Sequence, residues 1–149
     1  MTTAETTAVA ALIVASISLI VSSFVALRDR ARLRVRSRLI EASEFGPAKI
    51  LVTLVNMGRR AMIIRSVGGS NSKGRTISEY LEYEKGGLRL GERETYEHRF
   101  ERDDTVAFPA DGDEILLEWL WIEDSLGIRH KVPKSKHYID CLWGKQSAH

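Results

Sequence analysis

Cysteine occurs once, at Cys141, proline three times, and no lysine or arginine precedes Arg28 in the 149-residue chain. A lone cysteine excludes an internal disulfide framework and any Cys₄ or Cys₂His₂ zinc site. Three prolines and eleven glycines are too few for a collagen-like or disordered chain. G-x-S-x-G is absent, as is a workable Cys-His-Asp arrangement. The length holds one ordinary domain with a small appendage and no more.

Charge is also scarce in net terms, at +2, which argues against a nucleic-acid partner. Its distribution is uneven. Residues 1–27 carry only Glu5, whereas residues 28–38 carry six arginines against Asp29, a net +5. The remaining 16 basic and 18 acidic residues leave residues 39–149 at −2.

What is present first is a membrane segment. Ala8–Leu27 is an uncharged run of 20 residues, about 30 Å as a helix and so the thickness of a hydrocarbon core. A cleaved signal peptide is the rival reading, but MTTAETT lacks a basic n-region and the run meets Arg28 without a cleavage motif. Arg28, Arg30, Arg32, Arg34, Arg36 and Arg38 follow the span, so the positive-inside rule predicts an N-terminus outside and a cytoplasmic C-terminal domain at the inner membrane. Cys141 as a free thiol agrees with a reducing compartment. Ala11, Ala15, Ser18 and Ser22 form one small-residue stripe on which a second copy of the helix could approach, although serine also bonds its own helix. The expected division is residues 1–7 outside, 8–27 spanning, 28–38 as an arginine-rich segment entering the first strand, a β-domain over 32–143, and a tail at 144–149.

Beyond Arg32 the apolar period becomes two. Leu33, Val35, Ser37 and Leu39 alternate with arginines, which places Arg32, Arg34, Arg36 and Arg38 on one strand face, suited to anionic headgroups. Lys49–Asn56 reads as a central strand buried on both faces, followed by a turn at 57–60 and a strand at Ala61–Val67. Gly68–Gly74 has a flexible-loop composition, and Ile77–Glu84 fits either a strand or a helical turn. Tyr96, His98 and Phe100 share one face of a strand at 95–101. Asp111–Asp113 turns into one long strand, Glu114–Glu123, then Asp124–Gly127 makes a hairpin to Ile128–Val132. The basic tail from Lys134 holds a possible edge strand near His137–Trp143. Such spacing predicts an all-β, antiparallel sandwich after one transmembrane helix.

Three turn motifs carry a resemblance: V-N-x-G-R-R (Val55, Asn56, Gly58, Arg59, Arg60), L-x-x-G-E (Leu88, Gly91, Glu92) and D-S-x-G (Asp124, Ser125, Gly127). Over roughly residues 48–133 the chain resembles uncharacterised bacterial and phage single-span membrane proteins with an immunoglobulin-like, or fibronectin-III-like, sandwich. The resemblance implies a fold and no catalytic residue. The cysteine pair of antibody-type domains is missing.

Chemistry-bearing candidates are weak by comparison. Gly69–Thr76 departs from a phosphate-binding loop at its lysine, replaced by Arg75, and no βαβ series surrounds it. His98 reads as a core histidine, and His137 with Cys141 supplies only two metal ligands. Asp103, Asp104, Asp111 and Asp113 lack calcium-loop spacing. No cofactor is expected. Trp119 and Trp121, joined by Ile115 and Leu117, share one face of an apolar strand whose other face holds Leu116, Leu120 and Ile122. One face belongs to the core; the tail is the expected cover for the second, and a partner surface the alternative. The function expected is a non-enzymatic adaptor held at an anionic bilayer and binding another protein. The alternative is a holin-like or phage-defence effector whose helix oligomerises.

Overall fold

A computed structural model describes residues 2–28, 32–107 and 114–145. Helix α1 (Thr3–Arg28) begins earlier than the apolar run because Thr2 and Glu5 cap it reciprocally. The Thr2 amide donates to Glu5 Oε2 at 2.8 Å, and the Glu5 amide donates to Thr2 Oγ1 at 3.4 Å. Thr3–Ala26 is long and apolar enough to cross a membrane, and none of it is buried against the rest of the chain.

The rest is mostly β: β1 (Leu33–Ile40), β2 (Lys49–Asn56), β3 (Met62–Ser70), β4 (Thr76–Tyr80), β5 (Leu88–Leu90), β6 (Thr95–Phe100), β7 (Val106–Ala107), β8 (Ile115–Leu116), β9 (Trp119–Asp124) and β10 (Arg129–Lys131), with helix α2 (Ser135–Leu142) at the end. Two antiparallel sheets run in the orders β1-β2-β6 and β10-β9-β3-β4, with β5 paired to the start of β3; β7 and β8 form a small separate pair. Central β2 buries Ile50, Val52 and Leu54 completely, as its near-continuous apolar run requires. These side chains share one core with Ile64 and Val67 of β3 and Leu120 and Ile122 of β9. Eight residue pairs, Leu33↔Asn56 to Ile40↔Lys49, join β1 to β2.

The turn motifs act through buried polar groups. Asn56 is fully buried; its amide nitrogen donates to the carbonyls of Arg60 at 2.7 Å and Leu90 at 3.1 Å, while its Oδ1 accepts from the Gly58 amide at 2.9 Å. One side chain thereby ties the β2–β3 turn to β5. Asp124 does the same for the β9–β10 hairpin, accepting the amides of Leu126 at 2.9 Å and Ile128 at 3.0 Å on Oδ1, with His130 Nε2 2.9 Å from Oδ2.

Three local expectations are corrected. The tail forms a helix instead of an edge strand: Tyr138, Ile139, Leu142 and Trp143 recur with helical spacing and pack against the core, where Ile139 is buried. The supposed long strand at 114–123 breaks at Leu117 and Glu118, whose amides donate to the Thr105 and Ser70 carbonyls as the chain passes from β7 to β3. Gly68 and Gly69 are buried strand residues of β3 and no part of a flexible loop. A Cβ on Gly68 would lie 2.2 Å from the Ile77 carbonyl oxygen and 2.9 Å from the Trp121 ring, so only glycine lets β4 and Trp121 approach. The segment Ile77–Glu84, open to either reading, contains both elements: it begins in β4 and ends in a 3₁₀ turn at Tyr83–Lys85.

Candidate functional site

Alternation along β9 sends Leu120 and Ile122 into the core and leaves Trp119 and Trp121 on the outer sheet face. The described part of the tail does not cover that face, because α2 packs at the core side beside β9, β2 and β1. The hairpin at Asp124–Gly127 brings β10 alongside, with Lys131 opposite Trp121 and Arg129 opposite Glu123. The result is an open pocket of about 300 Å³ lined by Ser70, Trp119, Trp121, Arg129 and Lys131.

The two indoles differ in role. Trp121 is only 4% exposed; its Nε1 donates to Ser70 Oγ at 2.9 Å, and the Arg129 guanidinium lies 4.2 Å from the ring centroid. Arg129 is held there by Glu123, with Nε 3.0 Å from Oε2. Trp121 therefore forms a rigid floor, while Trp119 is half-buried and Lys131 exposed. At the rim, Glu118 accepts from the Ser72 hydroxyl and amide, and these bonds hold its carboxyl below the ordinary range. Flat apolar surface beside cations fits a partner carrying an apolar group next to an anion.

The other candidates occupy separate places. Arg32, Arg34, Arg36 and Arg38 are all exposed and alternate with the half-buried Leu33, Val35, Ser37 and Leu39, which gives the single arginine face. Arg30 lies outside the described residues, and Arg28 ends α1. Ala11, Ala15, Ser18 and Ser22 are exposed along α1, where Ser16 bonds back to the Leu12 carbonyl at 2.8 Å. His98 is half-buried edge-on to Phe100, with ring centroids 4.6 Å apart. Burial lowers its pKa, and Glu79 and Asp104 oppose that shift. Tyr96 beside it is pushed up by burial and by Glu79 and Glu82. Thus carboxylates from other elements do reach this face, although none shares its strand.

His137 Nε2 and Cys141 Sγ stand 3.8 Å apart on one side of α2. No cluster of three or more metal-ligating side chains occurs among the described residues. Gly69–Thr76 is a hairpin, closed by Asn71 Oδ1 accepting the Lys73 and Arg75 amides at 3.0 Å, so no helix start exists to hold a phosphate. Asp104 accepts the Glu101 amide at 2.7 Å, while Asp111 and Asp113 lie outside the described residues.

Ser70, Arg129 and Lys131 were not singled out from the sequence. For the two cations a signal existed: folding I-R-H-K-V back across D-S-L-G pairs them with the tryptophan strand. Ser70 depends on the non-local β3–β9 register and had none.

No family model matches the chain, and no curated protein matches it. Among solved structures, an X-ray structure of a Northeast Structural Genomics Consortium target is similar at 12% identity and a TM-score of 0.29, over 71% of this chain and 83% of that one.

Proposed function

We propose that the chain is a non-enzymatic, membrane-anchored adaptor, in which α1 crosses the cytoplasmic membrane with its N-terminus outside and the β-domain offers the Trp119–Lys131 pocket to a cytosolic protein. The observation that carries this reading is that pocket, an aromatic and cationic surface left open on a domain whose span, Thr3–Ala26, is free of the fold. The fold reading that accompanies it is an immunoglobulin-like sandwich of the fibronectin-III kind. Its support is strand order: β1-β2-β6 against β10-β9-β3-β4 matches the A-B-E and G-F-C-C′ arrangement.

A photo-crosslinking residue placed in cells at exposed Lys73, next to Ser72 at the pocket rim and outside the pocket lining, is expected to yield one discrete protein adduct. Lys131→Glu should remove it, and Trp119→Ala should weaken binding by about 30-fold, the effect of losing a ~2 kcal/mol anchor. Turnover of a small molecule by the purified chain would defeat the reading.

Orientation has its own test. A reporter fused after His149 should be active only if it works in the cytosol, and induced expression should leave the membrane potential intact. Depolarisation on induction would favour the effector alternative, with α1 assembling through Ala11, Ala15, Ser18 and Ser22.

A further inference from the structure

The pole of the β-domain at which β1 begins carries both apolar and cationic side chains. The register places several loops there. Leu33 pairs with Asn56, and the Met57 amide donates to the Arg32 carbonyl at 2.7 Å, so the chain enters the domain beside the β2–β3 turn. Ile64 pairs with Asp124, and the Ser125 amide donates to the Ile63 carbonyl, which sets the β9–β10 hairpin tip at the same end. The Arg93 amide donates to the Asn56 carbonyl at 2.9 Å and brings in the β5–β6 turn.

Large apolar side chains stand out from this pole: Leu126 is 82% exposed, Met57 52% and Ile128 52%. Around them Arg32, Arg59, Arg60 and Arg93 are exposed. Among the described residues of these loops the exposed carboxylates are Glu92 and Glu94, the latter bonded to the Gly91 amide at 2.6 Å, so four arginines stand against two glutamates there. Buried Asp124 is engaged by its own hairpin.

We propose that this pole is a membrane-docking surface: Leu126, Ile128 and Met57 enter the headgroup layer of the anionic leaflet from which α1 emerges, and Arg59, Arg60 and Arg93 bind its phosphates. The proposal rests on reading α1 as an anchor and adds which end of the domain meets the lipid. Two arguments select the lipid as occupant. Only five residue steps separate Arg28, the end of α1, from Leu33, a reach of at most about 18 Å. The eight-residue β1 is itself about 24 Å long, so the opposite pole, with exposed Phe45, cannot turn to the headgroups on that tether. The second argument is complementarity, since an amphipathic rim of apolar tips and arginines matches an anionic interface. It also divides the arginine stripe. With the domain standing on its pole, Arg38 lies about 17 Å farther out than Leu33, beyond a Debye length of about 8 Å.

The test uses the full chain carrying Cys141→Ser, reconstituted in vesicles of phosphatidylglycerol and phosphatidylcholine. An environment-sensitive fluorophore is attached at Leu126→Cys or, as a second reporter, Met57→Cys, and compared with Arg36→Cys and Phe45→Cys. Blue-shifted emission at positions 126 and 57, with loss of intensity when acyl-chain quenchers are present, is the expected result, while positions 36 and 45 stay water-like. Quenching at 36 without 126 and 57 would show that the domain lies on its arginine face and would overturn the proposal. So would water-like emission at all four positions from protein that resists alkaline carbonate extraction, and the anchor reading would then survive. Extraction by carbonate would remove the anchor reading and the docking surface together.

Discussion

Gly68→Ala is expected to destabilise the β-domain by about 3 kcal/mol or more, which for a domain of this size lowers the melting temperature by roughly 10 °C. The cause is a collision between backbones. The added methyl would sit 2.2 Å from the Ile77 carbonyl oxygen, in a strand pair that fixes Gly68 opposite Ser78. Neither strand can retreat without breaking the β3–β4 ladder or moving Trp121, the floor of the pocket. Gly74→Ala is the informative control. Its φ is +76° and nothing lies within 4 Å of the added atom, so only the conformational cost of about 1 kcal/mol applies. Trp121→Leu should rescue Gly68→Ala only in part, because it relieves the 2.9 Å ring contact and leaves the carbonyl. Thermal melts of the detergent-solubilised chain decide the matter: equal costs at Gly68 and Gly74 would refute the close-approach account.

Asp124→Ala is expected to cost about 3 kcal/mol, the order of losing charge-assisted bonds to two amides and a histidine around a carboxylate that is 4% exposed. Its acid limb carries a definite sign. Burial opposes ionisation of this carboxyl, but the bond from His130 and the amides of Ile128 and Leu126 outweigh it and hold the pKa below the ordinary aspartate value. A depressed carboxyl contributes stability that is fully present above its unfolded pKa of about 3.9 and disappears as pH falls through the lower folded value. Urea midpoints measured across that acidic range should therefore fall more steeply for the wild type than for Asp124→Asn. That variant retains an oxygen for the amides and has no charge to lose. Parallel acid limbs would show that Asp124 is not linked to folding in this way.

The fold was legible in sequence wherever burial follows a simple period. The arginine alternation of β1, the continuous run of β2 and the Tyr96–His98–Phe100 face of β6 each appear in the structure as read. Elsewhere the competing signal lay in another part of the chain. Gly68 and Gly69 resemble loop glycines unless β4 and Trp121 are known to press on them. Leu117 falls by alternation on the face of Trp119 and Trp121, yet the strand breaks there: Leu117 is buried in the core, and the Leu117 and Glu118 amides serve Thr105 and Ser70. Helix α2 was readable from Tyr138, Ile139, Leu142 and Trp143, but eight residues behind Pro133 give a weak period. At the pocket, the tryptophan pair was visible and its cations followed from the hairpin, whereas Ser70 required the long-range register.

The short separation in sequence between α1 and β1, five residue steps, has a mechanical consequence. A pull on α1 reaches the domain at Leu33 and runs along β1, parallel to the eight-residue ladder it shares with β2. Loaded in that direction, the hydrogen bonds resist together in shear instead of parting one at a time like a zipper. The Ser37 hydroxyl, bonded to the Pro133 carbonyl, passes part of the strain to the chain entering α2. Under the proposed anchoring, a load between membrane and partner would thus meet a domain braced along its force-bearing axis.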